Sequence, residues 1–245
     1  MSQQKNFVSL KDETIRMFDN PILDRMSRIH WATPLIVWIP VVMYCLYQAL
    51  FVQQIGWIKV SVLFLIGLFL WTLSEYFVHR FVFHYHPTTD FGKRISFLMH
   101  GVHHDYPNDS KRLVMPPIMS IVLAIPFFVF FNLAFGGGGE SLAAFSGMVS
   151  GYLVYDMMHF ALHHAKWQNK YFEKLKKHHM AHHYVHPEAG FGVSNLFWDV
   201  IFKTELEEAC SRVINSGWYI SGTEVSAFEQ LFLVFQINCT KDHLY

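Results

Sequence analysis

The sequence predicts an all-α integral membrane fold: four transmembrane helices in two hairpins, capped by a cytosolic, histidine-rich helical domain. Three observations carry this expectation. Apolar residues make up 52% of the 245-residue chain and charged residues 16%, with 24 phenylalanines. A soluble domain carries about 25% charged residues, so this chain has too little charge to coat a water-facing surface. Four long apolar stretches run through the sequence, and fourteen of its sixteen histidines fall between His79 and His186, grouped near the ends of those stretches.

In chain order, residues 1–32 form a polar segment holding Lys5, Lys11, Asp12, Glu13, Arg16, Asp19, Arg25 and Arg28. The charged stretch is too long for a secretory signal peptide and no small-residue cleavage site follows it; an interfacial helix is one option for it. The apolar stretches lie at 33–52, 58–78, 115–135 and 141–162, each close to the ~20 residues that a helix needs to cross the hydrocarbon core. Pro40 and Pro126 sit inside two of them, which membrane helices tolerate. Gln53–Trp57 and Gly136–Glu140 close the two hairpins without a single Lys or Arg, whereas the N-terminal segment, the 79–114 linker and the region after 163 hold nearly all the basic residues. By the positive-inside rule, both termini and the linker face the cytosol. The expected domain is 33–205, with its cap formed by 79–114 and 163–205. The tail, 206–245, has no histidine group and no assigned role.

Composition also excludes. Formal net charge is zero and no basic patch with interleaved aromatics exists, so nucleic acid is not an expected partner. Cys45, Cys210 and Cys239 show neither paired nor metal-ligand spacing, which argues against a disulfide framework.

Four histidine groups stand out: His79 and His84; His100, His103 and His104; His159 and His163; His179, His182 and His183. Residues three and four apart share a helix face, so each group offers two or three imidazoles to one side. The five-residue step from His79 to His84 suits a helix end whose last turn loosens. Imidazole is a good ligand for Fe, Zn, Cu or Ni. One ion takes about four to six ligands, so these ten fit two ions and are too many for one. His30 and His243 read as ordinary isolated histidines, and His86, His164, His178 and His186 are left open. Buried carboxylates are expected to orient the rings: Glu75 lies four residues before His79 and Asp156 three before His159, each on the same helical face. Asp105 and Asp109 read as loop residues, and Asp199 fits either class.

The groups, in this order, resemble the membrane-bound fatty acid hydroxylase and sterol desaturase superfamily, and within it the fatty acid 2-hydroxylases. The resemblance rests on Glu75-Tyr-Phe-Val-His-Arg-Phe-Val-Phe-His84, His100-Gly-Val-His-His-Asp-Tyr-Pro107 and Arg112-Leu-Val-Met-Pro-Pro117. It continues through Tyr155-Asp-Met-Met-His-Phe-Ala-Leu-His-His164, Leu175-Lys-Lys-His-His-Met-Ala-His-His-Tyr184 and Gly190-Phe-Gly-Val-Ser-Asn-Leu-Phe-Trp-Asp199. It implies four transmembrane helices and a cytosolic dimetal centre that inserts one oxygen of O2 at C2 of a fatty acid or of a sphingolipid acyl chain. Carried over position by position, the ligands are His79, His84, His100, His103, His104, His159, His163, His179, His182 and His183. His178 stands where relatives often have Tyr and is left out.

Iron is the expected active metal, with zinc possible in an isolated, inactive form. Many relatives carry a fused cytochrome b5 domain; no His-Pro-Gly-Gly heme motif occurs here, so a separate electron-transfer protein is expected, cytochrome b5 or a ferredoxin with its reductase. The family's Phe-Gly-Thr ending appears as Phe202-Lys203-Thr204. Trp71, Phe77, Phe81, Phe83 and Phe160 are candidates to line an acyl path, although such residues are more often plain packing. The rival readings are a sterol desaturase, C4-methyl oxidase or carotenoid hydroxylase of the same superfamily and, more remotely, a non-enzymatic metal binder or transporter. A transporter should place ligands near the bilayer midplane, not at helix ends on one side. The membrane is a bacterial inner membrane or the endoplasmic reticulum.

Overall fold

A computed structural model describes residues 6–206. The tail segment 206–245, apart from Leu206, lies outside the described residues, as do Cys210, Cys239 and His243.

Among the described residues the fold is helical, without strands. The helices are α1 (Pro21–Met26), α2 (Thr33–Tyr47), α3 (Trp57–Phe77), α4 (Asp90–Ser96), α5 (Val102–Asp105), α6 (Pro117–Phe135), α7 (Gly138–His164), α8 (Lys170–Tyr184) and α9 (Phe197–Phe202). Wider π-helical turns follow α2 at Gln48–Val52, α3 at Val78–Phe83 and α4 at Phe97–Gly101. Three helical runs are long and apolar enough to cross a membrane: Thr33–Val52, Trp57–Phe83 and Pro117–Phe135. Their outward faces carry exposed apolar side chains in number, with Ile58 84% and Leu133 80% exposed. A soluble monomer rarely shows so continuous an apolar surface.

The fourth long helix, α7, has a different character. Its 27 residues are rich in Gly, Ser and Ala, and most of its first five turns are buried. It runs through the middle of the bundle, packed against α2, α3 and α6. Small residues let it approach α3 at backbone distance. A methyl added at Gly147 would fall 1.9 Å from the Phe64 carbonyl oxygen, and one at Gly67 would fall 1.9 Å from that of Ala144. One turn further along α7, Gly151 lies under the Trp71 ring. The composition that makes α7 less apolar than its neighbours is therefore what makes it the central element.

At one end, the two hairpin loops are stitched together. The Gly139 amide donates to Gln53 Oε1 at 2.6 Å and Lys59 pairs with Glu140 at 2.8 Å. The pair is solvent-exposed, so water and salt screen it and it adds little to stability. Gly136 ends α6 in the left-handed conformation, φ 73°, which glycine adopts without strain.

At the other end the cap assembles. The N-terminal segment is extended apart from the six-residue α1, and it crosses the linker after α5. Val8 and Ser9 donate their amides to the Asp105 carbonyl, Asn108 Nδ2 donates to the Leu10 carbonyl, and Thr14 Oγ1 donates to Asp109 at 2.7 Å. Asp24 and Arg112, both buried, pair at 3.1 Å. Asp109, read as a loop residue, is itself buried under this strap.

Replacing Gly147 by Val should force α3 and α7 apart. Overpacking of this kind costs about 1–3 kcal/mol, so the detergent-solubilised protein should unfold at a clearly lower temperature than wild type. Gly56→Ala, where nothing lies within 4 Å of the added methyl, should leave the unfolding temperature unchanged. Equal melting of Gly147→Val and wild type would contradict the backbone-level packing.

Candidate metal centre

The cap brings ten histidines from five segments into two groups of five. One holds His79, His84, His100, His104 and His182, the other His103, His159, His163, His179 and His183; within each, the ligand atoms lie within 4.8 Å of one another. These are the ten that the spacing selects. The groups abut, with the His104 and His183 rings 4.3 Å apart.

Local structure explains the sharing. The π-helical turn after α3 joins His84 N–H to the His79 carbonyl, an i to i+5 bond, and so places two histidines five apart on one side. His100 and His104, His159 and His163, and His179 and His183 are each four apart, and each such pair serves a single group. His103 and His182 lie one position off those pairs. Rotated by about a quarter turn, they reach the opposite group, which ties the two groups together through α5 and α8.

The nitrogens meet through Nε2. His100 Nε2 lies 3.2 Å from that of His79 and 3.0 Å from that of His104, and His182 Nε2 lies 3.0 Å from that of His84. In the second group His179 Nε2 lies 3.0 Å from that of His163 and 3.1 Å from that of His183. One ring nitrogen makes one good hydrogen bond, as donor or as acceptor, yet His100 Nε2 and His179 Nε2 each face two other Nε2 atoms. His79 Nδ1 donates to the Phe191 carbonyl at 2.6 Å and His182 Nδ1 to the Ala189 carbonyl at 2.7 Å. A neutral ring carries one proton, so both Nε2 atoms present bare lone pairs to other nitrogens. The His103 and His159 Nε2 atoms, and Nδ1 of His163, His179 and His183, are buried with no partner among the described residues. Each orphaned buried polar atom costs about 1–3 kcal/mol, which a bound cation would remove at the ligating nitrogens.

The spacing fits such a cation. Two nitrogens about 2.1 Å from one ion lie about 3.0 Å apart at right angles and about 3.4 Å apart at the tetrahedral angle. The observed 3.0–3.2 Å matches the first arrangement, so five imidazoles in a group leave room for a further ligand. Burial keeps the rings neutral and able to ligate: it lowers the His84 pKa to about 2 and that of His104 to about 3, and pushes His100, His103, His179, His182 and His183 well below 6.5.

The remaining histidines among the described residues stay outside both groups. His86 pairs with Glu188 at the surface, His164 stacks on Phe160, His178 lies 3.3 Å from Asp199, and His30 accepts the Ala32 amide. Glu75 and Asp156, expected to receive ring N–H groups, bond elsewhere. Glu75 accepts the Val193 and Ser194 amides, at 2.9 and 2.7 Å, and the Ser194 hydroxyl. Asp156 accepts the Met115 amide at 3.2 Å and the Tyr152 hydroxyl at 3.1 Å, tying the start of α6 to α7. The partners of the His79 and His182 rings are backbone carbonyls of the loop after α8, which side-chain spacing cannot reveal.

The profile of the fatty acid hydroxylase family matches residues 64–204. The ceramide very long chain fatty acid hydroxylase of Saccharomyces cerevisiae is 40% identical over 78% of this chain, which spans 49% of that protein. The dihydroceramide fatty acyl 2-hydroxylase of Arabidopsis thaliana is 36% identical over 72% of this chain and 73% of its own length. The fatty acid 2-hydroxylase of Homo sapiens is 35% identical over 78% of this chain and 56% of its own length. A solved structure of full-length scs7p, in which only the hydroxylase domain is visible, superposes with a TM-score of 0.72 at 38% identity, covering 77% of this chain and 71% of that one. The chain spans about half the length of the yeast and human relatives, and its matched region contains all ten grouped histidines. On this likeness, the chain belongs to the fatty acid hydroxylase family.

Proposed function

We propose that the protein is a membrane-bound, O2-dependent dimetal monooxygenase that hydroxylates C2 of fatty acids or of sphingolipid acyl chains. The observation that carries the reading is the pair of five-histidine groups, inside the stretch that matches the fatty acid hydroxylase family. The relatives' names point to ceramide, dihydroceramide and fatty acyl substrates.

The architecture supports four spans, with α7 crossing as the central helix, and a cap on the cytosolic side where the basic residues gather. His79, His84, His100, His104 and His182 hold one ion, and His103, His159, His163, His179 and His183 the other. A redox-active pair there, iron in the working enzyme, supplies with O2 and two electrons the oxidising power that an unactivated C–H bond demands. The protein's part is to hold these groups rigid, keep the imidazoles neutral, exclude water and admit the acyl chain from an apolar side.

A small apolar cavity lies between α2, α3, α6 and α7. It is lined by Trp38, Trp71, Leu123, Phe127, Met148 and Tyr152, among others. Trp71 touches Tyr155, which stacks on His159, so packed aromatic rings connect the cavity wall to the second histidine group. Of the aromatic residues expected along such a path, Trp71 lines the cavity, Phe83 stacks on His100, and Phe77 and Phe81 are exposed. Electrons come from a separate electron-transfer protein of cytochrome b5 or ferredoxin type. Lys170, Lys174 and Lys177, exposed along the outer side of α8, give an acidic donor a surface close behind the metal ligands.

Cells expressing the protein should accumulate acyl chains with one added oxygen at C2, read by mass spectrometry of their lipids, and a His103→Ala, His182→Ala double variant should not. Modified sterols or carotenoids with unchanged acyl chains would contradict the substrate. Unchanged lipids, with donor supplied and iron present, would contradict the activity.

The neutral imidazoles also fix the direction of the pH response. Their folded pKa values lie below 6.5, so as pH falls through 6.5 the unfolded chain takes up protons that the folded cap refuses. The unfolding temperature of chelator-stripped protein should therefore hold above about pH 7 and fall steadily from about pH 6.5 to pH 5. A profile flat across that window would contradict neutral, buried rings.

A further inference from the structure

The loop between α8 and α9 holds one histidine group and leaves the other alone. Two of its peptide units work in the same way. In a planar trans peptide the C=O and N–H point in opposite directions. The 191–192 unit donates its Gly192 N–H to Asp199 Oδ2 at 2.7 Å, and its Phe191 carbonyl accepts from His79 Nδ1 at 2.6 Å. The 189–190 unit donates its Gly190 N–H to the Thr204 carbonyl at 2.8 Å, and its Ala189 carbonyl accepts from His182 Nδ1 at 2.7 Å. Each unit is clamped between a ligand imidazole and an acceptor at the α9 end.

Asp199 joins the two clamps. It is fully buried, and its Oδ1 accepts both the Phe191 amide at 2.9 Å and the Thr204 hydroxyl at 2.7 Å. The loop conformation serves this arrangement. Gly190 sits at φ +74°, and a methyl on Gly192 would meet the Asn195 carbonyl oxygen at 2.1 Å and Asp199 Oδ2 at 2.6 Å. Glu75 grips the next two amides, Val193 and Ser194, from α3. The second group has no counterpart: Nδ1 of His163, His179 and His183 has no partner among the described residues.

We infer that Asp199 is a positioning residue for the first metal site alone: through the loop it aims two backbone carbonyls that hold His79 and His182 with Nε2 turned inward. Its own partners are the Phe191 and Gly192 amides, the Thr204 hydroxyl and His178, none of them a ligating nitrogen. The inference rests on the metal-holding reading above and is independent of which lipid is oxidised. Loss of partners that orient metal-bound imidazoles typically weakens metal binding about 10–100-fold. Here the loss should fall on one ion of two.

The test is Fe(II) binding to the intact, detergent-solubilised chain under anaerobic conditions, at free iron set by a competing chelator. Wild type should take up two ions. Asp199→Asn keeps the side-chain shape but sets an NH2 where an acceptor is needed, and it should weaken one ion about 10–100-fold while the other binds as in wild type. Adding His182→Ala to Asp199→Asn should remove only the weakened ion, and adding His179→Ala should remove the retained one. Thr204→Val, which deletes one hydroxyl contact to Asp199, should give the same one-sided loss to a smaller extent. Equal weakening of both ions in Asp199→Asn and Thr204→Val, or no weakening in either, would overturn the positioning role and leave the proposed activity standing. Wild type that binds fewer than two ions would overturn the dimetal reading and this inference together.

Discussion

Everything in this fold is arranged around an electrostatic problem: imidazole nitrogens crowd one another at 3.0–3.2 Å in a buried cap, more of them than hydrogen bonds between rings can satisfy. Where Nδ1 carries the proton, as at His79 and His182, Nε2 turns a lone pair inward, and where two such lone pairs meet they repel. Protonating them would bury several positive charges together, which is costlier still. A cation at the focus of each group resolves the conflict, because it converts repelling lone pairs into ligands. The chain therefore spends its burial on keeping the rings neutral and its backbone on keeping them aimed.

The packed long helices supply the rigidity that such aiming needs. Helix α7 carries His159 and His163 at its end, and its glycines let α3, which leads into His79, lie against it at backbone contact. Two of the four histidine groups thus grow from one tightly packed helix pair. The other two sit on α5 with the π-helical turn before it and on α8, and are held by the N-terminal strap and by the loop ahead of α9. Side chains on packed helices are placed more precisely than those on free loops. In this fold loop backbone is used for support rather than for ligation.

Much of this was legible in the residues. The apolar stretches at 33–52, 58–78 and 115–135 correspond to Thr33–Val52, Trp57–Phe83 and Pro117–Phe135, which are long and apolar enough to cross a membrane, whereas the stretch at 141–162 falls within α7, whose Gly, Ser and Ala set it apart from those three. The ten histidines were legible as a set from helical spacing. Their division into two groups was also within reach, since every i, i+4 pair serves one group and the residue one step off, His103 or His182, serves the other. The direct partners of the rings were not legible. Spacing alone suggested that Glu75 and Asp156 would receive ring protons; instead they bond backbone amides and a tyrosine. Every residue has a carbonyl, so no sequence pattern marks those of Ala189 and Phe191 as the acceptors.

The central claim is that ten imidazoles form two separate five-nitrogen sites, and anomalous scattering tests it most directly. Crystals of the iron-loaded protein, measured on either side of the iron absorption edge, should show two peaks. One should lie among His79, His84, His100, His104 and His182, the other among His103, His159, His163, His179 and His183. A single shared peak, or peaks outside these groups, would contradict the account.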